Sequence, residues 1–180
     1  MKPMLFLDFD RTLFDTDKFY EWIGEDSVER ILKLTSGAIT PPDFSLFLYA
    51  DSVEFLRWAR TEHQLVLLTY TINTTLQKKK IWGSGIVSLV DEVIMVSGGD
   101  VGLSGKGAAV KNYLLHINKL GLEHIFIDDS PQNIDEVKRM NPKIRCIRID
   151  RVANAHGMPY GALLSPDYIV HDLNEFKDIL

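Results

Sequence analysis

Asp8 and Asp10 stand one residue apart directly after an apolar run, and a second acidic pair, Asp128 and Asp129, follows another. In an extended segment residues two apart point to the same side, so Asp8 and Asp10 bring two carboxylates together. Unneutralised, they repel. With a second acidic pair at a neighbouring strand tip they form a concentrated anionic site that favours a hard divalent cation, and Mg²⁺ takes carboxylate oxygens together with water and phosphate. An anionic substrate at such a site also needs cations and hydroxyls. Thr12 lies close behind the first pair, Thr69 follows a third apolar run, and Lys106 opens a helix-like stretch. Together with amides at helix N-termini, Thr69 and Lys106 could meet that need.

These residues need a scaffold that sets strand tips side by side. Short apolar runs at 4–7, 65–68, 93–96, 125–127, 144–149 and 168–170 read as buried strands. Helix-like stretches at 53–62, 74–82, 106–119, 131–140 and 174–180 alternate with them. This alternation predicts an α/β, Rossmann-like three-layer sandwich with a mainly parallel sheet, because right-handed crossovers put helices on both faces. Ligands bind such sheets outside the carboxyl ends of the strands, where Asp8, Asp10, Thr69, Asp128 and Asp129 all fall. The alternation lapses once, over the roughly 40 residues from 14 to 50, which is long for a connection. The expectation is a small helical cap inserted after the first strand, with 1–13 and 51–180 as the core domain. Within the insert, 17–34 reads as a helix whose Phe19, Trp22, Ile23, Val28, Ile31, Leu32 and Leu34 pack on its host. Its aromatics, Phe14, Phe19, Tyr20, Trp22, Phe44, Phe47 and Tyr49, read as packing in preference to substrate surface.

The chain resembles the haloacid dehalogenase-like hydrolases, whose four motifs occur here in order. The first is Asp8-Phe9-Asp10-Arg11-Thr12-Leu13, fitting DxDxT; the others are Thr69, Lys106 and Asp128-Asp129. The resemblance spans the scaffold from Met4 to about Val170 and says nothing of the insert. It implies that Asp8 is a nucleophile forming an aspartyl-phosphate and that Asp10 is the acid/base. It also implies that Thr69 and Lys106 hold the phosphoryl oxygens, with Thr12 beside them. Mg²⁺ would sit between Asp8, the backbone carbonyl of Asp10 and the acidic pair. Asp129 is preferred as direct ligand and Asp128 as the neighbour that orients Lys106 or a metal-bound water, although the sequence leaves the reverse open. Branches of the family that displace halide from carbon lack an aspartate at position 10, so Asp10 points to phosphate chemistry and to a small phosphate ester as substrate. A phosphotransferase such as a mutase, and a non-catalytic module binding a phospho-ligand or protein, are the alternatives. The insert is smaller than a full helical cap, which argues against the mutase and leaves an open site that a second copy of the chain could cover as a homodimer.

Composition narrows the rest. Twenty basic against 25 acidic residues, a net charge of −5, give no basic excess of the kind a nucleic-acid backbone recruits. Lys78, Lys79 and Lys80 read as a solvated helix face. The single cysteine, Cys146, suits a reducing cytoplasm, and the apolar N-terminal run meets Asp8 too soon for a signal-peptide core or a membrane span. Residues 98–106 are glycine-rich but lack P-loop spacing, and the five histidines lack metal-ligand spacing. Arg11 reads first as a solvated flank, with an extra phosphate contact as second choice. Asp15 and Asp17 read as cap or turn residues, Ser130 as a helix cap and Asn133 as support for the site.

Overall fold

The computed structural model describes residues 2–97, 105–118, 123–151 and 164–179. Six strands form one sheet: β1 (Met4–Leu7), β2 (Gln64–Thr71), β3 (Glu92–Ser97), β4 (Ile125–Asp128), β5 (Arg145–Ile149) and β6 (Tyr168–Val170). Every neighbouring pair is parallel, in the order β3-β2-β1-β4-β5-β6. The chain runs outward from β1 to one edge and then returns to build the other half from β4. This places a topological switch point between β1 and β4, where the carboxyl ends diverge into a crevice.

The strands are apolar on both faces, as a sheet covered on both sides requires. Leu5, Leu7, Leu65, Leu67, Ile125, Ile127, Ile147 and Ile149 face one core, and Met4, Phe6, Val66, Leu68, Phe126 and Cys146 face the other. Residue parity along each strand decides the face. The first core is covered by α3 (Ser52–Glu62), α4 (Thr74–Gly83) and α7 (Leu173–Lys177), through Phe55, Leu56, Ala59, Leu76, Ile81, Leu173 and Phe176. The second is covered by α5 (Lys106–His116) and α6 (Pro131–Met140), through Val110, Leu114, Ile134 and Val137. The three-layer expectation holds. Predicted strands 4–7 and 168–170 and helix 131–140 coincide with the observed bounds, and the other predicted strands and helices of the scaffold differ by one to three residues at their ends. Lys119 and Leu180, predicted helix ends, lie outside the described residues, as do 98–104 of the glycine-rich stretch and His156.

The insert is the main departure. In place of one helix over 17–34 there are two, α1 (Thr16–Ile23) and α2 (Ser27–Ser36), separated at Gly24, whose φ of 77° a helix cannot continue. Asp15 caps α1 by accepting from the Lys18 amide at 3.0 Å. Val28 and Leu32 point to solvent instead of packing on the host. Phe14, Phe19, Phe44 and Phe47 are buried as a cluster with ring centroids 5.5–6.0 Å apart. They join the same apolar core as Leu5 and Leu7, as do Ile23 and Leu34, so α1 and α2 are pinned by shared burial to the face of the sheet that α3 and α4 cover. Among the described residues no helix is long and apolar enough to cross a membrane.

Candidate active site

Asp8 follows β1, and its amide donates to the Ile127 carbonyl at 3.0 Å, which ties the first strand tip to β4. The ammonium of Lys106, at the start of α5, donates to Asp8 Oδ1 and, at 2.7 Å, to Asp128 Oδ2. Only glycine fits on either side of this lysine. A Cβ on Gly107 would come within 2.7 Å of the Glu136 carbonyl oxygen, and one on Gly105, where φ is 94°, would enter the Glu136 carboxylate. The two glycines let the end of α5 lie against α6 and carry Lys106 inward, and Asn141 Nδ2 fixes the approach by donating to the Gly107 carbonyl at 3.0 Å. Asp128 is fully buried; its Oδ1 accepts from the Ser130 amide and Asn133 Nδ2, both at 2.9 Å. Ser130 caps α6, as expected, and that cap holds Asn133 at the site.

Asp8, Asp128 and Asp129 each offer a carboxylate oxygen, all within 4.8 Å of one another. An all-oxygen, multiply charged donor set of this kind fits a hard cation such as Mg²⁺. Without such a cation the charges strain one another. Burial and the neighbouring Asp128, Asp129 and Asp10 push the Asp8 carboxyl well above the usual range, against the pull of Lys106. Burial works against the Lys106 charge, yet Asp128 and Asp8 outweigh it and raise the ammonium above its ordinary value.

Asp10 lies in a second, separate network. Oδ1 accepts from Thr16 Oγ1 at 2.7 Å and from the ammonium of Lys80, and Oδ2 accepts from Gln77 Nε2 at 2.6 Å. Gln77 Nε2 also donates to Thr69 Oγ1 at 2.9 Å, and Lys80 donates to Gln77 Oε1 at 3.2 Å. Burial alone would raise the Asp10 carboxyl, but Lys80, through its charge and its hydrogen bond, with Thr16 and Gln77, holds it below the usual range. The solvated reading of the lysine run is therefore corrected at its last member. Lys80 is only 4% exposed, because it shares the buried face of α4 with Leu76, Gln77 and Ile81.

Asp8, Asp10, Lys106 and Asp129 line a cleft of about 320 Å³, with Arg11, Thr16, Tyr70 and Asn133 completing its wall. Thr12 and Thr69 do not line it. Both are buried behind it, Thr12 donating to Asp8 Oδ2 at 3.4 Å and Thr69 held by Gln77. A larger cavity of about 880 Å³ opens at the opposite ends of the strands, beside Pro3, His63 and His124, and holds none of these residues. Fold and constellation agree with what comparison finds. No family model and no curated protein matches the sequence. Solved structures do match. YfnB of Bacillus subtilis, described as a HAD-hydrolase and bound to magnesium, superimposes with a TM-score of 0.69 at 14% identity, over 99% of this chain and 98% of that one. A HAD phosphatase from Thermococcus onnurineus gives 0.59 at 20% identity over 98% and 97%. An L-2-haloacid dehalogenase from Xanthobacter autotrophicus, with chloropropionic acid covalently bound, gives 0.64 at 12% over 99% and 98%. The chain has the haloacid dehalogenase-like fold.

On this fold the sequence motifs converge from four elements onto one strand-tip crevice. Asp10 joins by its side chain a network apart from the acidic triad, so its carboxylate is not among those grouped to hold a metal, contrary to its expected place there. Sequence reasoning missed Lys80, Gln77 and Thr16. The signal available was helical spacing, since Gln77 and Lys80 fall on the same α4 face as Leu76 and Ile81. Arg11 takes φ of 57° and pairs with the partly exposed Asp17 at 2.7 Å while lining the cleft, a placement that fits both a flank and a phosphate contact. His63 and His124 are buried packing residues, the latter accepting from the Met4 amide at 3.0 Å, and His116 and His171 lie at the surface.

Proposed function

We propose that this protein is a Mg²⁺-dependent phosphatase that hydrolyses a small phosphate monoester through an aspartyl-phosphate on Asp8. The observation that carries the reading is the second carboxylate: Asp10 lines the same cleft as Asp8 but is held by a different set of donors. Two carboxylates in one cleft, each held by its own set of donors, are suited to different roles, one as nucleophile and one as acid/base.

In the proposed reaction an Asp8 oxygen attacks phosphorus as the phosphorus–oxygen ester bond breaks, and Asp10 gives a proton to the departing alkoxide. Water then gives a proton to Asp10 and attacks phosphorus, releasing phosphate and the Asp8 carboxylate. Lys106 faces the phosphoryl oxygens with its ammonium. Thr12 orients Asp8, and Thr69, which accepts from Gln77, has its own hydroxyl proton to give. Mg²⁺, held by Asp8, Asp129 and the backbone carbonyl of Asp10, would supply positive charge against both the carboxylates and the phosphoryl group. The saturation of Asp128 by Lys106, Ser130 and Asn133 supports its assignment as the residue that orients Lys106.

The test is phosphate release from sugar phosphates, nucleotides, small phosphoacids and an aryl phosphate, with Mg²⁺ or with EDTA. Release that needs Mg²⁺ and falls at least about 10³-fold in Asp8→Asn is the expected outcome. Release that survives the substitution excludes the covalent route. Halide release from a 2-haloacid in place of phosphate release would move the protein to the other chemistry of this fold.

A further inference from the structure

Arg151 stands just past β5 and lines no part of the cleft, yet its guanidinium is committed to the turn that follows the first acidic pair, 139 positions away in sequence. Nε and Nη2 donate to the Thr12 carbonyl at 3.1 and 2.8 Å, and Nη1 and Nη2 donate to the two oxygens of Asp51 at 2.8 and 2.9 Å. The Tyr49 ring lies 4.1 Å from the guanidinium carbon. An aspartate just before a helix ordinarily accepts from that helix's own amides, but Asp51 makes no such bond to α3. Its other partner is the Leu173 amide of α7, at 2.8 Å. The next carbonyl of the turn, that of Leu13, accepts from Ser52 Oγ at 2.8 Å and from the Tyr49 amide at 3.0 Å. Thr12 and Leu13 are fully buried, so water cannot stand in for these donors. The turn after Asp10 is thus held at two successive carbonyls by residues 49–52, where the insert returns, and by Arg151.

We infer that Arg151, fixed by Asp51, is a positioning residue: it sets the Thr12 backbone so that the Thr12 hydroxyl reaches Asp8 and aims its carboxylate for attack. This rests on the phosphatase reading and deepens it. The hydroxyl lies 3.4 Å from Asp8 Oδ2, at the long limit of a hydrogen bond, so a small shift of the turn breaks it. Lys106 holds the other oxygen, Oδ1, and without Thr12 the carboxylate is held on one side only. A misplacement of about 1 Å at a reacting group costs about 10²-fold. Lysine is no substitute here, because a point charge can meet Asp51 or the Thr12 carbonyl but cannot fork between them.

The experiment measures kcat/KM for an aryl phosphate with Mg²⁺, which reports the steps through attack by Asp8, and the inhibition constant of inorganic phosphate, which reports the grip on the phosphoryl oxygens. The proteins are the wild type, Arg151→Lys, Thr12→Val and the double variant, each assayed where its urea curve shows it folded. The expected result is a loss of at least about tenfold in kcat/KM for Arg151→Lys, an inhibition constant moved by less than about threefold, and a double variant within about twofold of Thr12→Val. A merely structural arginine gives wild-type kcat/KM in folded Arg151→Lys, or a loss that multiplies with that of Thr12→Val. Either outcome overturns the inference and leaves the phosphatase reading standing, as do an undiminished Thr12→Val and a phosphate constant that moves as far as kcat/KM. Should Arg151→Lys fail to fold, Asp51→Asn decides by the same measurements, alone and combined with Thr12→Val. A wild type that releases no phosphate overturns the phosphatase reading and this inference together.

Discussion

The two halves of the cleft solve the same problem unequally. On the β4 side, one buried ammonium, Lys106, serves two carboxylates, Asp8 and Asp128, with Asp129 close by. On the α4 side, Lys80 serves Asp10 alone, with Gln77 and Thr16 assisting. The balance of charge differs, and so does the outcome: Asp8 is pushed up and Asp10 is pulled down. A shared cation leaves the first half in want of more positive charge, whereas the second half is satisfied by the protein itself. Among the described residues, the three carboxylates that could hold a divalent ion, as the proposed function requires, all lie in the first half.

The comparison can be broken at the lysines first. Lys106→Met leaves Asp8 and Asp128 buried and uncompensated, and urea unfolding in EDTA is expected to show a loss of about 3–5 kcal/mol. Lys80→Met should lose less, because Asp10 is partly exposed and keeps two neutral donors; equal losses would erase the distinction between the halves. A smaller effect sharpens the metal assignment. Mg²⁺ at about 100 times its Kd should add about 2.7 kcal/mol to the wild type, read as a rise in Tm. Asp129→Asn should lose that rise and Asp10→Asn should keep it.

The pH dependence of stability in EDTA should run in opposite directions for the two aspartates. Asp10, held below its ordinary 3.8, contributes stability that is present above that value and is lost as pH falls through its folded pKa. Asp8, held above 3.8, contributes stability that is full below that value and is lost as pH rises through its folded pKa. Relative to the wild type, Asp10→Asn should therefore be more destabilising at about pH 7 than at about pH 3, and Asp8→Asn less so. Denaturant curves at the two pH values check this, and parallel behaviour of the variants would contradict it. The smallest effect is expected at Arg11→Gly. Relief of the left-handed backbone and loss of a partly exposed ion pair oppose one another, for a net change under about 1 kcal/mol in unfolding.

The Asp8 half was legible before the structure. Asp8 and the Asp128-Asp129 pair stand after apolar runs, and a polar residue at the end of a buried parallel strand has only the crevice to enter. Lys106 was found by its order among the motifs. The Asp10 half was legible only in part. The sequence marks Thr69 and Asp10, but Lys80 reads as a solvated charge because it ends a run of three lysines, and Gln77 carries no motif. Gly24 likewise hid a break in what read as one apolar helix.

The sequence by itself determined the sheet and its two faces, since parity along a strand and the spacing of apolar residues on a helix are local periodicities that burial enforces. It also determined which residues reach the strand tips. Only the tertiary structure decided which ammonium meets which carboxylate. Lys80 and Asp10 are 70 positions apart, and Lys106 and Asp8 are 98 apart. The partner of a buried charge is set by distance through space, where the low dielectric makes pairing necessary, and sequence separation carries no record of that distance.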